Sequence, residues 1–212
     1  MTTRTQFQVT RHALMQLTQG LTAIQLYACQ PHSTLHYDPA IRVCSDTLRS
    51  IITTFRSTVA RHAHETADFL LSNIFSNLLQ DTISNEAKTL IIDRFFYAPD
   101  SDRPSLVGTK MRGVGNLRQR VEQLQATLNG SQVALQGQNI DTAMIHGNFE
   151  IVIGGIRTIH GFYEQICQTL ETFRGQLDHG YVSIEDIQSE ARWLAVISAD
   201  LKAFASPDTP GW

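Results

Sequence analysis

The strongest constraint in this 212-residue chain is an absence. Between Pro39 and Pro99 there is no glycine and no proline, the two residues that most often end a helix. Apolar residues recur through that stretch at helical spacing: Ile41, Cys44, Leu48, Ile52, Phe55 and Val59, then Leu70, Ile74 and Leu78. Asp38-Pro39 opens it, with an N-cap acceptor followed by proline at the first helical position. One helix over 39–80 would be roughly 60 Å long at 1.5 Å per residue. A compact chain of this length is only about 43 Å across, from a radius of gyration near 17 Å. The spacing therefore predicts an elongated molecule, or a helix that is kinked or broken between 39 and 80.

A helical wheel locates the irregularity. With Phe55 at zero, Ile41, Leu48, Ile51, Val59 and His62 fall within roughly 40° of it at 100° per residue. Leu70, Leu71, Ile74 and Leu78 instead centre near 115°. The apolar stripe slips by about one residue between His62 and Leu70. Supercoil drift of about 20° per heptad cannot account for so abrupt a change. A one-residue bulge, a break or a change of packing partner is expected near Ala63–Ala67, and bulges of that kind are frequent at functional sites.

The rest of the chain reads as helices joined by short links. Leu14, Leu17, Leu21 and Ile24 mark an amphipathic helix over 5–29. Ser84-Asn85-Glu86 restarts a helix that runs to Phe96, and the turn-rich YAPDSDRPS (97–105) follows. Val114, Leu117, Val121, Leu124 and Leu128 define a helix over 106–129 that stops at Asn129-Gly130. Residues 131–155 are ambiguous, because FEIVIGG (149–155) is rich in β-branched residues. The pattern through Ile156, Ile159, Tyr163, Ile166, Leu170, Phe173 and Leu177 favours helix there. Ser183, with Asp186 three residues on, caps a last helix carrying Ile187, Leu194, Ile197, Leu201 and Phe204. The fold expected is all-α: an elongated bundle of about six helices in a single domain over 1–205, with a loose tail at 206–212.

Composition bounds the function classes. The net charge is -3 and the hydrophobic fraction 42%, so neither wholesale disorder nor a global pull on nucleic acid or anionic membranes is expected. The basic residues are three Lys and fourteen Arg. Arginine favours fixed contacts over loose solubilising charge, although a GC-rich genome gives the same bias. Cys29, Cys44 and Cys167 are widely spaced and include no CxxC, so neither a disulfide framework nor a thiolate zinc site is indicated. No signal-peptide layout opens the chain, and no apolar run approaches the roughly 18 residues of a membrane span. A soluble protein of the cytoplasm, in a reducing compartment, is the expectation.

Three patterns carry candidate chemistry. The first is RHAHETADF (61–69). Two residues along a helix is a turn of about 200°, so His62 and His64 point in nearly opposite directions and cannot chelate one metal together. His62 falls on the apolar stripe and reads as a core histidine. His64-Glu65 followed by Leu70 resembles the H-box of sensor kinases over fewer than ten residues, which would make His64 a phosphoacceptor. The Arg/Asn and Pro positions of that motif are absent, and an ordinary histidine on a solvated face fits the same residues. The second pattern is a pair of i,i+4 couples, His64/Asp68 and His160/Glu164, which would give a two-histidine, two-carboxylate metal site if they faced each other. The third is the basic run Arg103, Lys110, Arg112, Arg118 and Arg120, which has no acidic residue among its members and has Gly108, Gly113 and Gly115 interspersed. It is a candidate anion site at a helix start. LDHGYVSIED (177–186) echoes the second half of a calcium loop but lacks the oxygen ligands of the first half.

No nucleophile motif and no cofactor fingerprint stands out. The expectation is a non-enzymatic helical protein that works through its surface, as an adaptor, an assembly or scaffold subunit or an effector. Its partner is another protein or a second copy of itself. The alternatives are a histidine phosphotransfer module using His64, and a phosphate-ligand or nucleic-acid binder using the 103–120 patch. No cofactor is expected.

Overall fold

Side-chain acceptors set the helix starts. The structure, a computed structural model, describes residues 2–96, 106–135 and 140–206. Helix α1 (Thr3–Ala28) is capped by Thr2. Helix α2 (Pro39–Arg42) is a single turn opened by Asp38, whose carboxylate accepts from the N–H groups of Ala40 at 3.0 Å and Ile41 at 3.3 Å. Helix α3 runs from Cys44 to Leu78. Helix α4 (Asn85–Phe96) begins one residue after Ser84, whose hydroxyl accepts from Ala87 N–H at 3.3 Å. Helix α5 is Leu106–Gly130 and α6 is the turn Gln132–Leu135. Helix α7 (Thr142–Asp178, 37 residues) is capped by Asp141, and α8 (Ile184–Ala205) by Ser183. The structure contains no strand among the described residues. FEIVIGG lies inside α7 and buries Phe149, Val152 and Ile153. The predicted loop 97–105 and the tail from 207 lie outside the described residues.

The long helix expected over 39–80, kinked or broken, divides at Val43, whose φ of -115° and ψ of 9° leave helical geometry. From Cys44 onward it is one continuous, irregular rod about 50 Å long at 1.5 Å per residue. Regular turns over Cys44–Thr54 pass into π-helical turns at Phe55–Ala60. They return to α-geometry at Arg61–Phe69, widen again at Leu70–Phe75, and close with Ser76–Leu78. The cause is visible in the buried positions. Phe55, Val59, Ala63 and Ala67 are four residues apart, as are Leu70, Ile74 and Leu78, and all are buried. A run of fours drifts by about 40° per step around an α-helix. Wider π turns absorb the surplus and keep the buried side facing its neighbours. Side-chain hydroxyls and amides accompany the irregular ladder: Thr54 donates to Ser50 O at 2.9 Å, Ser72 to Asp68 O at 2.7 Å and Asn73 to Phe69 O at 3.2 Å.

The predicted register slip is therefore present, but it is split between two π turns that flank 61–69. The wheel used only large apolar residues and overlooked Ala60, Ala63 and Ala67, all of which are fully buried. These small residues are the true inner face.

Helix α1 packs along α7, α3 and α8, α5 lies against α7 and α3, and the 61–69 segment of α3 packs against α8. Phe204 near the end of α8 stands 5.1 Å from Phe7 and 5.0 Å from Phe55, centroid to centroid, and so ties three helices together. Cys44 behaves as a small core residue. Its thiol donates to Leu21 O at 3.4 Å, and burial pushes its pKa up to about 11.

Helices α1 and α7 meet tightly at Gly155, where an added Cβ would stand 2.7 Å from Thr10 Cγ2. Gly161, two turns further along α7, has nothing within 4 Å of the same position. Gly155→Ala should lower stability despite its better helix propensity, since overpacking costs about 1–3 kcal/mol. Gly161→Ala should raise it by roughly 0.5–1 kcal/mol. Urea denaturation of the two variants checks this; equal effects would contradict the packing described.

Candidate functional site

The 61–69 segment of α3 presents its two histidines to different neighbours. His62 is half-buried and lines a cavity with Lys110 and Val114 of α5 and Tyr163 of α7. Burial, and then the Lys110 charge, hold its imidazole below the ordinary histidine range; Glu65 opposes this and Arg61 adds to it more weakly. His64 faces α8, and its side chain is 18% exposed.

His64 belongs to a closed polar ring. Its Nδ1 lies 2.8 Å from Ser198 Oγ, the Ser198 hydroxyl donates to Asp68 Oδ1 at 2.6 Å, and Asp68 Oδ2 stands 3.4 Å from His64 Nε2. Ser198 has a single proton and gives it to Asp68. His64 Nδ1 must therefore carry a hydrogen and donate it to Ser198. This is serine, histidine and aspartate in contact, but wired in the reverse of a hydrolytic triad. There the histidine accepts the serine proton, and the acid holds the far side of the ring. Here the histidine feeds the serine, and Ser198 is only 5% exposed. The arrangement can join two helices; it does not activate a nucleophile. His64 Nδ1 thus faces Ser198, while Nε2 stands beside the exposed Asp68 carboxylate.

The remaining sequence candidates are dispersed. His160 Nδ1 stands 3.4 Å from Glu164 Oε2 on an exposed face of α7. Among the described residues no group of three or more His, Cys, Asp or Glu side chains could hold a metal ion, so the two couples are not brought together. Arg103 lies outside the described residues. Arg112 Nε donates to Gly108 O at 3.4 Å, and Arg118 pairs with Glu122 at 2.7 Å, both within α5. Arg120 reaches across to α3 and donates to Thr54 Oγ1 at 3.1 Å and Ser50 Oγ at 2.9 Å, just ahead of the first π turn. Lys110 alone of these lines the His62 cavity. Three of the four described cations are thus engaged along α5 or against α3, and they do not converge on one point.

A separate surface feature opens between α1 and α3. Leu14, Met15 and Ile52 form an apolar groove of about 560 Å³, with Arg49 and Arg56 among its walls. Among the described residues no helix is long and apolar enough to cross a membrane.

Sequence reasoning missed Ser198; it placed Tyr163 only on the apolar face of α7 and Gly113 only among the glycines of the basic run. For Ser198 a signal existed: it interrupts the apolar face of α8 one residue after Ile197 and four after Leu194, and a polar residue at such a position must find a partner. Which partner is a matter of tertiary packing. Compared with known proteins, the chain matches no family model, no curated protein and no solved structure.

The depressed basicity of His62 has a definite sign. The unfolded chain binds the proton more readily than the folded one, so the contribution of His62 to stability is complete above the unfolded value of 6.5 and is lost as pH falls through it. Wild-type stability should decline on acidification across that window, and His62→Gln should flatten part of the slope. Urea denaturation at a series of pH values measures this; an unchanged slope in His62→Gln would contradict the assignment.

Proposed function

We propose that this protein is a non-enzymatic interaction module that docks a partner protein on its helical surface, and that the groove between α1 and α3 is the docking face. The observation that carries this reading is the groove itself. It is lined by Leu14, half-exposed Met15 and half-buried Ile52, and a furrow between two helices is the shape that receives the apolar face of a third. Its walls are basic. Arg49 and Arg56 line it, and burial, then the nearby Arg56 charge, lower the Arg11 pKa. Arg49 also holds Asp46 at 2.7 Å, so part of its charge is met from within the chain. The complementary occupant is an amphipathic helix with acidic residues beside its apolar stripe, because opposite potentials across an interface select partners.

The reading is tested with a labelled amphipathic peptide carrying a Leu/Ile face flanked by glutamates, and a second peptide with lysines in their place. Fluorescence anisotropy should show the acidic peptide binding at least about tenfold more tightly at low salt. Ile52→Glu, at a partly exposed position, should abolish the binding while the helical circular dichroism stays intact. Absence of binding, or equal binding of both peptides, would contradict the proposal. So would a dimer in light scattering that Ile52→Glu dissociates, since the groove would then serve a second copy of the chain.

A further inference from the structure

A second opening lies at one end of the bundle, away from the docking face. The last turns of α1 and α5, the short α6 and the first turns of α7 enclose a cavity of about 450 Å³ there. Ile24, Leu128, Leu135, Ile145 and Phe149 line it, and none of the five is more than 5% exposed, so its depth is apolar. Asn129, Gln132, Thr142 and His146 line it as well, and all four reach solvent in part, which gives it a polar mouth. No described residue that lines the cavity carries a formal charge.

One group at the mouth is held in a defined state. Gln125 is buried, and its Nε2 donates to Glu150 Oε1 at 2.9 Å and stands 3.1 Å from His146 Nδ1. A carboxylate can only accept, so the amide nitrogen and not the amide oxygen must face Glu150. The second hydrogen of that nitrogen goes to His146, whose Nδ1 accepts it. A neutral imidazole has one N–H, so His146 carries it on Nε2. Nε2 is the ring nitrogen left for a ligand, and it is a donor. A buried amide that sets the tautomer of a cavity-lining histidine is the kind of support that pre-organises a binding group.

We propose that this cavity binds an uncharged molecule with a hydrocarbon body and a carbonyl acceptor near one end: a ketone, an ester or an amide. Its volume is at the lower end of the roughly 300–1,000 Å³ typical of ligand sites, which suits an occupant of about ten heavy atoms. The buried aliphatic side chains and Phe149 take the hydrocarbon. The carbonyl oxygen accepts from His146 Nε2–H, and the amide N–H groups of Asn129 and Gln132 can add to it. A carboxylate or ammonium on the same chain would give up its hydration with no opposite charge on the described wall.

The test is an NMR titration of the full chain with 2-octanone, run beside octanoate and octylammonium below their micellar concentrations. The ketone should give saturable shifts centred on Leu128, Ile145 and Phe149, and both ions should bind at least about tenfold more weakly. Histidine ring spectra should show His146 as the Nε2–H tautomer. His146→Phe keeps a ring and removes the donor, and should weaken ketone binding about fivefold, as for loss of a neutral hydrogen bond. Ala143→Trp, at an exposed position on the cavity wall, should block binding. Should it fail to fold, His146→Phe, also at an exposed position, still tests the site. No saturable shift, equal or tighter binding of either ion, an Nδ1–H tautomer at His146, or ketone binding unchanged in His146→Phe would each overturn the proposal. So would shifts centred on Met15 and Ile52, since the ketone would then have entered the α1/α3 groove. Loss of peptide docking at that groove leaves this cavity untouched, so the two readings stand or fall separately.

Discussion

The structure depends on the contact between the small-residue face of α3 and the last helix. Ala60, Ala63 and Ala67 are fully buried, in the part of α3 that packs against α8. Into that contact α8 inserts Ser198, which is bonded to both His64 and Asp68. A buried hydroxyl is costly unless its hydrogen bonds are made, and here both are. The result is a polar clasp set in an apolar seam. It fixes the register of two helices through residues 130 and 134 positions apart in sequence.

The π turns follow from the same face. An α-helix cannot keep residues spaced by fours on one side for long. Widened turns at Phe55–Ala60 and Leu70–Phe75 keep the alanines, Phe55 and Ile74 buried on one rod. They also decide where the histidines point. The regular segment between them gives His64 to α8 and His62 to α5 and α7. The cavity beside the first π turn is a by-product of that geometry, and the groove between α1 and α3 lies on another side of the same rod.

Much of this was legible in the sequence. Asp38-Pro39, Ser183 and Asn129-Gly130 mark helix ends because capping chemistry is local. The opposed directions of His62 and His64 follow from 100° per residue alone. The irregularity in α3 was visible as a slip of the apolar stripe, but its position was not. Alanine carries little weight in a hydrophobic pattern, so a face built from Ala60, Ala63 and Ala67 hides behind its larger neighbours. FEIVIGG reads as strand or helix in isolation and is settled by packing against α1, where Gly155 makes room for Thr10. Among the site residues, Asp68 was legible as the i+4 neighbour of His64, but Ser198 was not. Ser198 comes to His64 from a helix distant in the chain, and local spacing carries no information about such meetings. Arg120, grouped by sequence with an anion patch, instead reaches across to the hydroxyls of α3.

Asp68 and Ser198 meet across the α3–α8 seam, and this clasp stabilises the bundle. A double-mutant cycle on urea unfolding, using Asp68→Asn, Ser198→Ala and the pair, measures it most directly. Contacting polar residues couple by about 0.5–3 kcal/mol, and a value near 1 kcal/mol is expected here. Strict additivity, within about 0.3 kcal/mol, would mean that the two side chains do not meet in the folded protein.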